Sequence, residues 1–400
     1  MRSLLIILSF LASHLYGQEP CATMMRSNDL ESRSESYHAG MEEMRNMASQ
    51  FEAGVLNANL RGTDEMVIPV VVHVVYREDV NNISMEQINS QIEALNRDFS
   101  WSQSDKDKIP SVWRDLGKNS GLIFKLADKD PDGNFTNGVT RTKTNVENIG
   151  DTNAYYRTSR GGIDPWVQSH YINIWVCEIG NNTLGYTYLP STSAEPNDGI
   201  VMAPRAFGMI GTATPPYDKG RTLVHEMGHY FGLRHLWGTE EGECTNTDYM
   251  NDTPWQNEAN FGCPNFPTVS CPSEDDGDMF MNFMDYTRDT CALFFTTNQV
   301  EFMQLVLLTS KVTLTHSEAV TGLAEQGRAE FNVFPNPASN IVTINFTGVE
   351  SNAYSLINAL GQIESIGKLN QGLNQIDVHE LKAGVYLLKT DNWHEHIVVQ

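Results

Sequence analysis

The most informative part of this chain is His225-Glu226-Met227-Gly228-His229-Tyr230-Phe231-Gly232-Leu233-Arg234-His235. On a helix, residues four apart share a face, so His225 and His229 would stand one above the other. Two neutral imidazoles arranged in this way can bind one zinc ion. Gly232 permits the left-handed backbone that ends a helix, so the chain can turn back and bring His235 to the same metal as a third ligand.

Glu226 supplies the chemistry expected beside those ligands. Three protein ligands leave one zinc position for water, as catalytic rather than structural zinc sites do. Glu226 points away from the ligand row, so we expect it to act on the zinc-bound water, whose pKa zinc lowers towards about 7. It would take the proton and pass it to the leaving amine of a cleaved peptide. The glycine and third histidine at fixed spacing argue against three incidental surface histidines in a chain with 11.

A second motif, Asn282-Phe283-Met284-Asp285-Tyr286-Thr287, completes a family signature. With the histidine run it resembles the metzincin zinc peptidases, and a Met followed two residues later by Tyr is similar to their pappalysin family in particular. The resemblance extends over residues 61 to 310 and implies that Met284 lies beneath the zinc. It also implies that Tyr286 donates a hydrogen bond to the oxyanion of the reaction; on its own, Tyr286 would be an aromatic core residue. Further matching segments are Ile174-Trp175-Val176-Cys177, Leu184-Gly185-Tyr186 and Asp252-Thr253-Pro254.

Hydrophobic patterning predicts an α/β domain around these motifs. Val67 to Tyr76 is a β-branched run suited to a buried strand, and Asn82 or Ser84 would cap the helix that follows. Alternating strands and helices predict a mixed twisted sheet plus helices, as in the metzincin fold. Residues 240 to 290, rich in Gly, Pro, Asn, Asp and Cys, predict a loop-rich lower subdomain. Other strands are expected at Leu122 to Ala127, Tyr171 to Glu178, Leu184 to Leu189 and Gly199 to Ala203, with a closing helix from about Asn298 to Thr309.

The amino-terminal end predicts export. Arg2 precedes an apolar run from Leu4 to Ala12, with a cleavage site before Gln18, which is typical of a signal peptide. The run is shorter than the roughly 20 residues of a membrane anchor. The position of residues 18–60, before the first clear strand, favours a propeptide over a flexible arm. The expected segments are a signal peptide (1–17), a propeptide (18–60), a catalytic domain (61–315), a linker (316–329) and a small all-β sandwich (330–400).

The carboxyl-terminal sandwich carries its own signature. Short strands separated by turns predict a small β-sandwich. Its segments resemble the type IX secretion sorting domain of Bacteroidetes, which implies a secretion machinery as partner, an extracellular or cell-surface location and removal of the domain. A carbohydrate- or surface-binding sandwich is the alternative. The segments are Phe334-Pro335-Asn336-Pro337-Ala338, Asn358-Ala359-Leu360-Gly361-Gln362 and Leu381-Lys382-Ala383-Gly384-Val385-Tyr386.

Cysteines crowd into the stretch after the histidines. In an oxidising compartment, Cys244, Cys263, Cys271 and Cys291 favour two disulfides over a metal knuckle, with three possible connectivities. The family resemblance implies the pairs Cys244–Cys271 and Cys263–Cys291. Related proenzymes also use a Cys-Gly-Thr segment for latency, and Cys21-Ala22-Thr23 stands in that role here without the glycine. Cys21 is therefore either a latency switch at the zinc or an unpaired cysteine.

The resemblance suggests a second metal and a cleavage preference. Similar pappalysins bind calcium, for which Asp252 and Thr253 are candidates; a solvated acidic loop is the alternative. Bacterial relatives cut before Arg or Lys, using an acid in the pocket for the residue after the cut. Asp289 is the candidate acid, although Arg288 stands where relatives carry another carboxylate. The same preference predicts self-cleavage between Leu60 and Arg61.

Composition excludes one class of partner. With 50 acidic and 27 basic residues, the net charge of -23 would repel nucleic acid. No later segment of the sequence is apolar enough to span a membrane. The zinc motif and Glu226 make protein or peptide substrates the expected partners, and the oligomeric state stays open. The competing hypothesis is a catalytically inactive adhesin that keeps the metzincin fold, although such a scaffold has no need of Glu226.

Overall fold

A computed structural model gives the fold of most of the chain. The expected signal peptide, the Leu60–Arg61 bond and most of the expected linker lie outside the residues that it describes. The described residues are 20–56, 65–191, 197–238, 244, 248–272, 274, 276–317, 319–320, 331–346, 352–358, 362–370, 372–390 and 394–400.

Two helices form the N-terminal segment, a name used below for residues 20–56. α1 is Thr23–Arg33 and α2 is Glu35–Glu52. Ser34 separates them and caps α2, because its hydroxyl accepts a hydrogen bond from the Tyr37 backbone N–H. The buried face of α2 includes Met44 and Phe51, which join the main hydrophobic core of the protein. The segment is thus folded onto the domain that follows it.

The central sheet has the mixed character that the sequence predicts. Its order is β2-β1-β4-β6-β5, and β3 also pairs with β1, alongside the second half of that strand. All pairs are parallel except that of β5 with β6, so β5 forms an antiparallel edge. β3 was not predicted. The strands are β1 Met66–Tyr76, β2 Leu122–Leu126, β3 Val139–Lys143, β4 Ile172–Cys177, β5 Gly185–Thr187 and β6 Ile200–Met202.

Helices cover this sheet and build the core with it. They are α3 Met85–Phe99, α4 Ser111–Arg114, α5 Arg221–Tyr230 and α6 Thr297–Ser310. Ser84, one of the two predicted caps, caps α3. Gln87 does not complete a capping box there, since its side-chain amide donates to the Phe207 carbonyl at 2.7 Å. α6 begins with a complete capping box formed by Thr296 and Gln299.

Loops build the region between α5 and α6, as predicted. Its described residues contain neither a regular helix nor a strand, and cross-links hold them instead. Two disulfides are present in the described chain, Cys244–Cys271 and Cys263–Cys291, the pairs that the resemblance implies. Cys244–Cys271 lies before the second motif in the sequence, and Cys263–Cys291 spans that motif. Over the same described residues, every helix is too short or too polar to traverse a lipid bilayer.

The carboxyl-terminal region forms a β-sandwich with a core of its own. One sheet has the order β11-β8-β7 and the other β10-β9-β12-β13. Val342, Ile344, Leu356, Leu388 and Ile397 are fully buried between them. β10 and β13 were not predicted. The strands are β7 Phe331–Phe334, β8 Ile341–Phe346, β9 Asn352–Asn358, β10 Ile363–Leu369, β11 Gly372–Asp377, β12 Gly384–Lys389 and β13 His394–Val399.

Candidate active site

Helix α5 carries the first two histidines into the interior of the protein. Its apolar side chains, including Leu223 and Met227, are completely buried in the main core. The helix ends at Tyr230, and Gly232 follows with a φ of +92°. A side chain there would also press on Phe302 and on Val306, each 3.1 Å from an added Cβ. Glycine therefore suits both the backbone and the space at the turn that leads to the third histidine.

The three histidines meet at one point. His225 Nδ1 donates to the Phe283 carbonyl at 2.6 Å, and His229 Nδ1 donates to the Leu233 carbonyl at 2.7 Å. These bonds fix the tautomers and leave both Nε2 atoms with lone pairs. His229 Nε2 lies 3.0 Å from His235 Nε2, and the buried His225 Nε2 has no hydrogen-bond partner among the described residues. Converging lone pairs of this kind fit a zinc ion.

Burial also keeps these ligands in the form that a metal needs. It lowers the pKa of His225 to about 4 and shifts the pKa values of His229 and His235 well below the usual value. Neutral imidazoles therefore face one another at neutral pH. Cys21 Sγ joins them, since one ligand atom from each of the four residues lies within 4.8 Å of the others. The structure thus brings together the three predicted zinc ligands and the predicted latency cysteine.

Glu226 lies beside the triad without belonging to it. Its side chain is fully buried, and Oε2 accepts a hydrogen bond of 2.8 Å from the Thr23 hydroxyl. Cys21 Sγ is 3.6 Å from the same oxygen. Burial raises the pKa of Glu226 to about 7, against the opposing effect of these two donors. Thr23 is a site residue that the sequence did not predict in this role.

The second motif forms the floor and one wall of the site. Met284 is fully buried, and its Sδ would lie 2.6 Å from a Cβ added at Gly228 of α5. The helix therefore needs glycine where Met284 packs beneath it. The Tyr286 ring centroid lies 4.7 Å from that of His235, and its hydroxyl donates to the Cys21 carbonyl at 3.3 Å. Met284 and Tyr286 are thus adjacent to the triad, as the resemblance implies.

Comparisons with known proteins give this geometry a family. Residues 160–308 match the peptidase M43 family model described as pregnancy-associated plasma protein-A. Mature mirolysin of Tannerella forsythia, solved in complex with a cleaved peptide, is 44% identical with a TM-score of 0.61, covering 64% of this chain and 96% of that one. The chain belongs to the pappalysin family. It is a zinc metalloendopeptidase with the predicted metzincin fold.

Two further relatives and a second family model bear on the proenzyme and the secretion of this pappalysin. A promirolysin mutant of T. forsythia is 38% identical with a TM-score of 0.66, covering 74% of this chain and 97% of that one. An extracellular metalloprotease of Arthroderma gypseum is 29% identical over 61% of this chain and 73% of the relative. Residues 332–400 match the secretion system C-terminal sorting domain. The predicted secretion to the extracellular space or cell surface is therefore confirmed.

The N-terminal segment of this pappalysin pairs with the edge strand β5. The Pro20 carbonyl accepts a hydrogen bond of 2.8 Å from the Leu184 N–H, and the Ala22 N–H donates to the Gly185 carbonyl at 3.2 Å. The Thr23 hydroxyl accepts from the Thr187 N–H at 2.9 Å. Because β5 is an edge strand, these bonds take up backbone groups that no other strand of the sheet pairs with. The pairing at Cys21 and Gly185 is parallel.

A small pocket beside His225 and Glu226 contains the predicted specificity residue. Asp289 lines it, and its Oδ2 accepts hydrogen bonds from the backbone N–H groups of Lys219 at 2.7 Å and Arg221 at 3.3 Å. Burial raises the pKa of Asp289 to about 6. Arg288 is exposed and is not among the residues that line the cavity. Arg288, whose position in the sequence argued against an acidic pocket, therefore lies outside this pocket.

Polar groups behind Tyr286 hold it in position. Asp285 Oδ1 accepts from the Tyr286 N–H at 2.7 Å and from the Asn260 N–H at 2.8 Å, while Oδ2 accepts from Gln256 Nε2 at 2.8 Å. Trp237 stacks on His235 with ring centroids 4.4 Å apart. Sequence reasoning assigned no role to these residues, although Asp285 lies inside the second motif.

The proposed calcium ligands have other contacts. Asp252 Oδ1 accepts from the Thr296 hydroxyl at 2.7 Å, and Oδ2 accepts from the Asn298 N–H at 2.8 Å, so its carboxylate serves the start of α6. The Thr253 hydroxyl donates to Asp248 at 3.0 Å. Among the described residues, the His, Cys, Asp and Glu groups placed to share a metal ion do not include Asp252. Calcium remains a prediction.

Proposed function

We propose that this chain is the latent precursor of an endopeptidase that uses Glu226 as its general base and prefers Arg or Lys after the cut. The observation that carries the proposal is the burial of Glu226 beside the triad, where its hydrogen-bond donors come from the N-terminal segment. When that segment leaves, the carboxylate faces the cleft. Zinc bound by His225, His229 and His235 would polarise the substrate carbonyl and lower the pKa of water at the site.

The residues then divide the proton transfers and charge stabilisation between them. Glu226 accepts a proton from the attacking water and donates it to the leaving amine, both within one buried site. The Tyr286 hydroxyl, which donates to the Cys21 carbonyl in the precursor, would donate instead to the substrate carbonyl oxygen as negative charge builds there. The peptide on either side of the cut would pair with the backbone groups of edge strand β5.

Latency follows from the same contacts. Cys21 Sγ lies beside the three histidines, the Thr23 hydroxyl bonds Glu226, and the Cys21 carbonyl takes the Tyr286 hydroxyl. One short piece of chain would therefore block the metal, the base and the oxyanion donor together. This favours residues 18–60 as the propeptide and 61–315 as the catalytic domain, with 316–329 as the linker to the sorting domain at 330–400.

The cleavage preference rests on the cavity beside the triad. Asp289 is a buried acid in it, and a Lys or Arg side chain reaching in would place a cation against that carboxylate. The exposed position of Arg288 removes the competing charge that its sequence position suggested. Self-cleavage between Leu60 and Arg61 is the matching proposal for maturation; sequencing the mature amino terminus tests it.

Calcium is proposed as a stabiliser of the loop region around Asp252 and Thr253. The buried Asp248 lies next to them and has its pKa raised to about 7 by burial, so a nearby cation would favour its charged form. Titrating calcium into chelator-treated protein should raise the melting temperature at micromolar to millimolar concentrations. An unchanged melting temperature would refute the proposed calcium site.

Casein cleavage tests the proposed mechanism. The mature enzyme should cleave casein, and Glu226→Ala should lower the rate by about 10²–10⁴-fold while zinc content stays the same. Glu93→Ala, which changes an exposed glutamate on α3, is the control and should keep full activity. Equal activity in wild type and Glu226→Ala would refute the general-base role. Absence of cleavage by any form would favour the inactive adhesin.

A further inference from the structure

A buried cation lies beside the acid proposed to select Arg or Lys. Arg221, the first residue of α5, is 3% exposed and lines the same cavity as Asp289. Its Nη1 donates to the Asp289 carbonyl oxygen at 2.7 Å. A substrate cation that enters this cavity meets a guanidinium as well as a carboxylate. Its binding therefore depends on what compensates the charge of Arg221.

Two aspartates from another part of the chain bind that guanidinium. Asp98, on α3, accepts from Nε at 3.2 Å and from Nη2 at 3.3 Å. Asp105, which follows α3, accepts from Nη1 at 2.9 Å and from Nη2 at 2.8 Å. A guanidinium has five N–H donors. With the bond to the Asp289 carbonyl, all five donors of Arg221 have acceptors, and the Asp289 carboxylate is not one of them.

The Asp289 carboxylate is held differently. Its hydrogen bonds come from the backbone N–H groups of Lys219 and Arg221, and no side-chain cation in the described chain forms an ion pair with it. Backbone donors orient a carboxylate and leave its full charge in place. Burial raises the pKa of Asp289 and the charge of Arg221 opposes that rise, so the two groups are within electrostatic reach of each other.

We propose that Asp98 and Asp105 determine specificity by holding the Arg221 guanidinium away from the Asp289 carboxylate. If one of them loses its charge, the buried guanidinium keeps less compensating negative charge, and the Asp289 carboxylate, which lies within its electrostatic reach, becomes an alternative partner. An Arg221–Asp289 ion pair would then replace the pair with the substrate's Lys or Arg. The inference rests on the proposed preference for a basic residue after the cut.

A purely structural ion-pair network makes a different prediction. Breaking a buried salt bridge destabilises a protein, and that loss lowers the rate on every substrate equally. A specificity role lowers the rate on basic substrates alone. The ratio of kcat/KM for two substrates separates these cases, because the amount of active enzyme cancels from the ratio.

Two peptides that differ only after the scissile bond, one with Lys and one with norleucine, provide that ratio for the mature enzyme. Asp105→Asn should lower the Lys-to-norleucine ratio about tenfold or more, with norleucine turnover within about threefold of wild type. Asp105→Glu, which keeps the charge, should restore most of the ratio. Asp289→Asn should lower the ratio as strongly, and the double variant Asp105→Asn/Asp289→Asn should lower it no further, because both changes remove one interaction.

The outcomes separate this inference from the preference on which it rests. A wild-type ratio near one refutes the basic preference before any variant is made. A wild-type-like ratio in active Asp105→Asn, or effects of the two substitutions that multiply, overturns the role of Asp105 alone. Should Asp105→Asn yield no active enzyme, Asp98→Asn removes the other partner of the same guanidinium and must lower the same ratio.

Discussion

The two ends of this chain flank the catalytic domain, and they are held in opposite ways. In the N-terminal segment, Met44, Ala48 and Phe51 belong to the same core cluster as β1 and α5, and the Phe51 ring lies 5.4 Å from that of Phe302. In the carboxyl-terminal sandwich, the core cluster consists of residues between 333 and 399 only. One end shares the enzyme's interior and the other has an interior of its own.

The difference bears on how each end can be removed. When a segment that shares a core dissociates, apolar surface becomes exposed to water. Exposing each large apolar side chain costs a free energy of about 1.5–3 kcal/mol. A module with its own core departs without that loss. The N-terminal segment is therefore suited to regulate the activity of the enzyme. The sandwich is suited to serve as a removable secretion signal.

Truncating one core residue at each end should give the largest contrast. Phe51→Ala should destabilise the catalytic unit of the precursor by about 3–5 kcal/mol through a cavity against Phe302, without changing the unfolding of the sandwich. Ile397→Ala, at a fully buried position of the sandwich, should do the reverse. Calorimetry of the two variants measures both transitions. Parallel shifts of both transitions in either variant would contradict the separation of the cores.

Removing the cysteine should have the next largest effect. Cys21→Ala takes away the sulfur ligand atom at the triad, so turnover of a small peptide by the uncut precursor should rise about 10- to 100-fold. Cys177→Ala is the matched control, because Cys177 is the other free, buried cysteine among the described residues. If the precursor is equally inactive with and without Cys21, the thiol has no role in latency.

A smaller effect is expected at Glu226, the proposed general base. Thr23→Val keeps the shape of the side chain but removes the hydroxyl that joins Glu226 to Thr187. This loss should weaken the binding of the N-terminal segment by about 1–3 kcal/mol. Self-processing of the precursor, followed by gel electrophoresis, should become about tenfold faster. Ser27→Ala removes a hydroxyl of the same segment that bonds the Leu189 N–H instead. Equal acceleration by both would mean that contact with the base has no special weight.

Deleting the sandwich should have the smallest effect. A chain ending at Val320 lacks all seven strands of that module, yet its mature form should keep kcat/KM within about twofold and the same melting temperature, since the cores are separate. Secretion from the native host, by contrast, should stop. A large loss of activity on the same deletion would mean that the sandwich supports the site.

Local patterns allowed much of this site to be predicted. The spacing from His225 to His235 and the position of Tyr286 after Met284 are short-range features, and the structure brings these residues together. The strands predicted at Tyr171 to Glu178 and Gly199 to Ala203 contain β4 and β6. Periodicity and caps carry this information because they depend on neighbours in sequence.

The missed features depend on distant partners. The Thr23–Glu226 bond joins residues 203 positions apart, and Arg221 meets Asp98 across 123 positions, so no local pattern contains either contact. β3 alternates apolar and polar residues too weakly to be recognised, and it is a strand because β1 offers it a free edge beyond β2. Asp252 became a calcium candidate through the family resemblance, and its hydrogen bonds to Thr296 and Asn298 at the start of α6 are a contact that no local pattern contains.

The grip of the N-terminal segment on the cleft has one last consequence, for the timing of activation. The bonds at Pro20, Ala22 and Thr23 and the burial of Met44 and Phe51 do not depend on the covalent connection beyond residue 56. A cut in that connection therefore leaves a bound fragment, whose release follows mass action. At high concentrations of enzyme and fragment the fragment rebinds, and in dilute solution it dissociates and diffuses away. If release of the N-terminal segment activates the enzyme, as proposed above, dilution after secretion favours the active form.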